Sequence, residues 1–297
     1  MSKISVIIPC YRDAKTIGRA LESVWAQTRA ADEVIVVNDC SPEKDEIENV
    51  VRGFPGVIYV WNESNVGLAA SRNIGIETSR CEIVSFLDAD DELHPQKIEF
   101  QAEVLRKGKA VSCANRRIGP ATSPVSIKKY KTIGRVREFS ESVRIIYRNR
   151  LTGASLMAYK EDLKAVGGYD SFLRSCEDYD LWLRLLDAGF SALHITCPLY
   201  FYRQNADGLS RNAASISRWE MEVVKKALKR KNYASPFRGE AAAIWSFWTL
   251  KHILRNRTAR SKDLDTQIDR DLSDLAPSSL EKMVMGGLRA ILNHRTR

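Results

Sequence analysis

The sequence predicts an α/β protein: a Rossmann-like, mostly parallel central sheet with helices on both faces, followed by a C-terminal helical segment. Three observations lead there. Short apolar runs near the N-terminus lack the in–out alternation of a half-exposed strand, so both faces of the sheet are covered. Patterns with helical spacing separate these runs, as in βαβ units. Polar, acidic and aromatic residues gather just after the strands, at the edge where open α/β sheets bind ligands.

In order, Ile4–Pro9 reads as a buried strand and Ala14–Gln27 as a helix carrying Ile17, Leu21, Val24 and Trp25 on its spacing. Glu33–Asn38 is a second strand, Glu43–Arg52 a polar helix and Val57–Trp61 a third strand. Gly67–Thr78 is a helix rich in small residues, and Glu82–Leu87 is the fourth strand. Ala110–Asn115 and Ala154–Tyr159 look like further strands, with a basic, Pro-containing loop or lid over Arg116–Arg137 between them. Gly167-Gly168-Tyr169-Asp170 marks a turn, Asp178–Ala188 an amphipathic helix and Phe190–Tyr202 a strand. After Arg211 only helical patterns remain: roughly 213–231, 236–256 and two more up to 294. The expected division is therefore a ligand-binding domain over 1–210 and a basic helical segment over 211–297.

The charge distribution supports that boundary. The chain has 297 residues and a net charge of +9. Residues 211–297 hold 18 Lys+Arg against 9 Asp+Glu, and residues 1–210 balance at 28 of each. All the basic character is thus C-terminal. The aromatics there, Trp245, Phe247 and Trp248, sit in an apolar helix rather than between basic residues, which argues against nucleic acid. Residues 276–297 set Met283, Val284, Met285, Leu288, Ile291 and Leu292 among Lys282, Arg289, Arg295 and Arg297. A basic amphipathic end suits peripheral attachment to an anionic bilayer, and equally a helical cap or oligomer contact. Neither a signal-peptide pattern nor a membrane-spanning run is visible, so the expected location is cytoplasmic, at most at the inner membrane face. The six cysteines show no C-x-x-C pair and read as small buried apolar groups.

Four constellations carry candidate chemistry. Asp88 and Asp90 follow the fourth strand; two carboxylates one residue apart can share a hard divalent cation with diphosphate oxygens, and can equally cap the following helix. Glu177, Asp178 and Asp180 open a helix; one positioned carboxylate could deprotonate a hydroxyl nucleophile, and spacing does not separate the three. Within Asn65–Ile76, small residues permit close backbone approach and Arg72 could point its fork at phosphate. Tyr11 and Asp39 offer an aromatic face and a carboxylate suited to a pyrimidine base and its imide N–H. The first turn, Pro9-Cys10-Tyr11-Arg12-Asp13, lacks G-x-G-x-x-G, and no G-x-x-x-x-G-K-[ST] occurs, which disfavours dehydrogenases and P-loop enzymes.

These pieces stand in an order that resembles glycosyltransferase family 2, the inverting enzymes of the GT-A fold. The matching segments are Ser5–Tyr11, Gln27-Thr28 with Glu33–Ser41, Asn65–Ile76, Leu87–Asp91, Gly167–Asp170 and Glu177–Arg184, within about residues 4–205. The resemblance implies a nucleotide-diphosphate-sugar donor, usually a UDP-sugar, and a carbohydrate or lipid-linked acceptor in cell-surface glycan synthesis. It implies that Pro9, Tyr11 and Asp39 bind the base, that Arg72 lies near the phosphates and that Asp88 contacts the ribose or metal. Asp90 would bind Mg²⁺ or Mn²⁺, and Asp178 would be the catalytic base of a single in-line displacement. Glu177, Asp91 and Arg203 are secondary candidates. Many relatives carry Tyr-Arg-x-His after the last strand; here the stretch is Tyr202-Arg203-Gln204-Asn205, which leaves the third metal ligand open. The competing readings are a non-catalytic nucleotide-sugar sensor on the same fold and a sugar-phosphate nucleotidyltransferase. The Gly-rich basic loop expected of the latter is missing from Pro9–Asp13.

Overall fold

A computed structural model of the chain describes residues 2–119, 127–204, 213–230, 243–248 and 251. It divides into two compact units, Met1–Arg144 with Asn149–Gly208, and Ile145–Arg148 with Leu209–Arg297.

In the first unit, strands and helices alternate: β1 (Ile4–Cys10), α1 (Ile17–Trp25), β2 (Glu33–Asn38), α2 (Lys44–Arg52), β3 (Val57–Trp61), α3 (Leu68–Thr78) and β4 (Ile83–Phe86). Then come β5 (Glu92–Leu93), α4 (Lys97–Val104), β6 (Lys109–Ile118), β7 (Val136–Phe139) and α5 (Val143–Ile146), whose last turn enters the second unit. A 3₁₀ turn (Gly153–Ser155), β8 (Met157–Tyr159), α6 (Lys160–Ala165), α7 (Glu177–Asp187) and β9 (Ser191–Arg203) complete it. The sheet order is β3-β2-β1-β4-β8-β6-β9-β5, with β7 added against β9. The pairs β3-β2, β2-β1 and β1-β4 are parallel, as the unalternating apolar runs require. Beyond β4 the sheet mixes directions: β8 runs antiparallel to both β4 and β6, whereas β6 and β9 are parallel.

The pleat divides β1 between two layers. Ile4, Val6 and Ile8 pack with Ile17, Leu21 and Val24 of α1 and with Ile47 and Val51 of α2. Ile7 points the other way, onto α3. A Cβ added at Gly75 would lie 2.2 Å from Cγ2 of Ile7, so glycine is what lets α3 settle on the sheet. Packing thus accounts for the glycine at position 75.

Some local expectations are corrected. The stretch expected as a loop, Arg116–Arg137, begins inside β6 and ends inside β7. Its basic residues Arg116 and Arg117 belong to a strand whose far end is exposed, which a propensity reading takes for loop. Only Met157–Tyr159 of the expected strand Ala154–Tyr159 is extended, because Gly153–Ser155 coils into a 3₁₀ turn.

In the second unit, α8 spans Ala213–Arg230, and residues 243–248 are helical. The indole N–H of Trp248 donates to the Ile146 carbonyl at 2.7 Å, and Tyr147 meets Phe247 edge-on with ring centroids 5.3 Å apart. Residues 276–297, including the expected basic amphipathic end, and Asn205 lie outside the described residues. No helix among the described residues is long and apolar enough to cross a membrane.

Candidate active site

The loops leaving the carboxyl ends of β1, β2 and β3 are knitted to one another. The Asp13 carboxylate accepts from the Tyr11 amide at 2.8 Å, while the Asp13 carbonyl accepts from the Ile17 amide and starts α1. The Arg12 amide donates to the Ser41 hydroxyl at 3.0 Å, tying the first loop to the second. Asp39, buried, accepts from the Asn62 side-chain amide (2.9 Å) and from the backbone amides of Val66 (2.9 Å) and Gly67 (2.8 Å). Its carboxylate therefore fixes the loop that leads into α3. Pro9 is buried as the penultimate residue of β1, and Tyr11 beyond it is 41% exposed with the Arg12 guanidinium over its ring.

Backbone strain collects at the same edge. Among the described residues, only Arg12, Cys40 and Cys176 adopt positive φ without being glycine (61°, 56° and 61°). Two follow β1 and β2, and the third sits where the chain enters α7. Such conformations cost about 1–3 kcal/mol each and persist where surrounding contacts hold them in place.

Asp88 lies two residues past the end of β4, and its amide donates to the Tyr200 hydroxyl of β9 at 3.1 Å. Arg72 of α3 lies beneath it. The guanidinium donates to Asp88 Oδ1 at 2.8 Å and to Glu177 Oε1 at 2.5 Å, and the side chain is 2% exposed. One buried cation thus joins the acidic cluster after β4 to the one that opens α7. The sequence reading aims this fork at phosphate; in the fold it is closed on two carboxylates.

The structure separates three acids that spacing leaves equivalent. Asp180 is buried and pairs with Arg184 at 2.7 Å, one turn along α7. Glu177 is engaged by Arg72. Asp178 is held by two backbone amides, Tyr179 to Oδ1 at 2.7 Å and Gly153 to Oδ2 at 3.1 Å. Burial, and then the Glu177 charge, push the Asp178 carboxyl up to about 7; Arg72 and the two amides oppose the rise. That position near neutrality is what a general base needs. The approach of Gly153 is close: a Cβ there would fall 2.0 Å from Cβ of Asp178.

Asp88 and Asp90 are both partly exposed. The Asp13 carboxyl is pushed up to about 7, chiefly by burial and then by the charges of Asp90, Asp88 and Glu43. Acidic groups therefore lie near one another here, and carboxylate oxygens are the donors that hard divalent cations take. Among the described residues, no group of three or more His, Cys, Asp or Glu side chains is placed to hold a metal ion. Two carboxylates suffice for Mg²⁺ when water and phosphate fill the remaining positions.

The secondary candidates divide. Glu177 is part of the Arg72 bridge. Asp91 is buried and accepts from the Arg203 amide at 2.7 Å, and the Arg203 guanidinium pairs with Glu92 and donates to the Gly119 carbonyl. These two brace β9 against the loop after β4. Sequence reasoning passes over Asp13, Gly153 and Tyr200. Asp13, two residues past Tyr11 in the first loop, was open to the strand-end rule; Gly153 and Tyr200 carry no local signal.

The family description "Glycosyl transferase family 2" matches residues 5–162. The chain belongs to that family. An uncharacterized glycosyltransferase of Haemophilus influenzae is 34% identical over 209 residues, 67% of each chain. One from Rickettsia felis is 29% identical over 62% of this chain, and that match spans only 31% of the longer relative. Among solved structures, S. aureus TarS 1–349 in complex with UDP-GlcNAc superposes with a TM-score of 0.68 at 20% identity, covering 92% of this chain and 80% of the other. The mannosyltransferase PcManGT of Pyrobaculum calidifontis, in complex with GDP-Man and Mn²⁺, gives 0.59 at 15% identity, covering 96% and 83%. These likenesses establish that this family 2 chain has the GT-A fold.

Proposed function

We propose that the chain is an inverting glycosyltransferase that moves a sugar from a nucleotide-diphosphate donor to a hydroxyl of a carbohydrate or lipid-linked acceptor. The observation that carries this reading is the Arg72 bridge. It gathers Asp88, Glu177 and, beside Glu177, Asp178 at one edge of the sheet although the two clusters are far apart in sequence. Asp178 takes the acceptor's proton as the new bond forms, and its placement near neutrality makes it both a competent base and a largely ionised one at slightly alkaline pH. Two amides hold its carboxylate, so the base is oriented before substrate arrives.

Asp88 and Asp90 would hold the Mg²⁺ or Mn²⁺, and the bound cation supplies charge neutralisation at the leaving diphosphate. Tyr11 offers the nucleotide base an exposed ring, and Asp39 shapes the base pocket by fixing the 65–67 loop. Pro9 is the penultimate residue of the strand that sets Tyr11 in place. Domain 1–210 holds the proposed chemistry, and peripheral attachment of 276–297 at the inner membrane face would bring it to lipid-linked acceptors. Vesicle pelleting of chains with and without 276–297 tests the latter, and equal pelleting removes it.

A thermal-shift panel of UDP-, GDP- and dTDP-sugars with Mg²⁺ or Mn²⁺, followed by donor hydrolysis, tests the reading as a whole. The expected result is stabilisation by one donor class and slow metal-dependent sugar release. No shift and no release with any donor would overturn it.

A further inference from the structure

With Arg72 closed on two carboxylates, it is not the side-chain cation open to the donor's phosphates, and a second guanidinium, that of Arg174, lies close to the same helix. The loop Asp170–Cys176 is fastened to α3 at both ends. At its start, Asn73 of α3 clamps Tyr169: the Tyr169 amide donates to Oδ1 at 2.8 Å and Nδ2 donates to the Tyr169 carbonyl at 2.8 Å. At its end, Cys176 turns through positive φ into Glu177, which Arg72 of α3 holds. Between these points Leu173 is buried as a plug, and Phe172 and Arg174 are exposed.

Arg174 lies across the start of α3. A Cβ added at Gly67 would be 3.3 Å from Nη1 of Arg174. Gly67, with φ of 89°, is also the residue whose amide Asp39 holds. It sits a little over one helical turn before Arg72, which binds Asp88. Gly67 is thus tied to Asp39 and Arg72 to Asp88, so a ligand spanning Asp39 and the Asp88–Asp90 pair would run along the start of α3, beside this guanidinium. Among the described residues, Arg174 makes no ion pair, so its fork is available to an anion.

We infer that Arg174 grips the diphosphate of the nucleotide donor, a role that rests on the nucleotide-sugar reading above. A guanidinium fork matches phosphate oxygens in a way that an ammonium does not. Removing such a charged hydrogen bond costs roughly 10- to 100-fold in affinity.

The test is a calorimetric titration of the full chain with UDP and GDP plus Mg²⁺, and with the matching nucleosides. The variants are Arg174→Gln and Arg174→Lys. The expected result is nucleoside diphosphate binding weakened roughly 10- to 100-fold in Arg174→Gln and by less in Arg174→Lys, with nucleoside binding and thermal midpoint unchanged. Equal diphosphate affinity in wild type and Arg174→Gln would overturn the assignment alone. Equal losses for nucleoside and diphosphate would also overturn it, because they would mark the loop as a scaffold for the base pocket. If wild type bound neither nucleoside diphosphate, the nucleotide-sugar reading would fall, and the Arg174 role with it.

Discussion

The acidic cluster after β4 and the one opening α7 are divided along the same lines. In the first, Asp91 is buried and braces β9 through the Arg203 amide; in the second, Asp180 is buried and locked to Arg184. Asp88 and Glu177 share Arg72. The remaining member of each trio, Asp90 in the first and Asp178 in the second, is partly exposed. What differs is the surroundings of these two. Asp90 lies among other acids, near Asp88, Asp91 and Asp13, where a cation would relieve repulsion. Asp178 lies under the Gly153 turn between two amides, with its proton affinity raised toward neutrality. On the proposed reading the same residue type holds a metal in one cluster and takes a proton in the other, and the division follows from the neighbours of each.

Substitutions can break that comparison at several points. The largest effect is expected from Asp178→Asn, which removes the proposed base and keeps the pocket. Turnover should fall by about 10²- to 10⁴-fold with donor affinity nearly unchanged, and a wild-type rate would remove Asp178 from the mechanism. Arg72→Met leaves Asp88 and Glu177 without their shared cation. A loss of about 3–5 kcal/mol in urea unfolding is expected, as for breaking a buried ion pair. A loss under 1 kcal/mol would mean that the bridge does not hold the clusters together.

Gly153→Ala forces a methyl into Asp178 and should displace the base. A fall in turnover of about 10² with unchanged donor affinity is expected, and crystals of the variant should show the start of α7 shifted. Asp180→Asn is the neighbouring control. It should cost about 1–3 kcal/mol of stability through Arg184 and leave kcat within a few-fold of wild type. A collapse of kcat at normal stability would show that position 180, and not the division drawn above, matters for chemistry.

The pH dependence sharpens the contrast. If Asp178 is the base, it works as a carboxylate, and because it is pushed up to about 7, kcat/KM should fall about tenfold per unit below that pH. Stability moves the other way. The folded protein binds the Asp178 proton more tightly than the unfolded chain, whose carboxyl titrates near 3.8. Between these values this group's contribution to stability therefore decreases as pH rises. Asp178→Asn should abolish that part of the slope; an unchanged slope would place the titration elsewhere.

The parallel half of the fold was legible because its signals are local. Doubly covered strands show no alternation, and strand ends turn polar where a ligand edge lies, so Tyr11, Asp39, Asp88 and Asp90 could be picked out one after another. The mixed half was harder to read. The short β5 and exposed β7 are defined by what they pair with, and the Gly153 turn is a coil inside an apparently strand-like run.

By itself, then, the sequence determined the chain's layers, the edge that carries the polar groups and the short set of acids among which chemistry had to be sought. Those are consequences of periodicity and of residue type at strand ends. Tertiary structure alone decided which acid of each cluster is engaged in bracing, that Arg72 faces carboxylates, and that Arg174 lies over Gly67. Pairing and dehydration of a side chain depend on neighbours many residues distant, and periodicity along the chain carries no record of those distances.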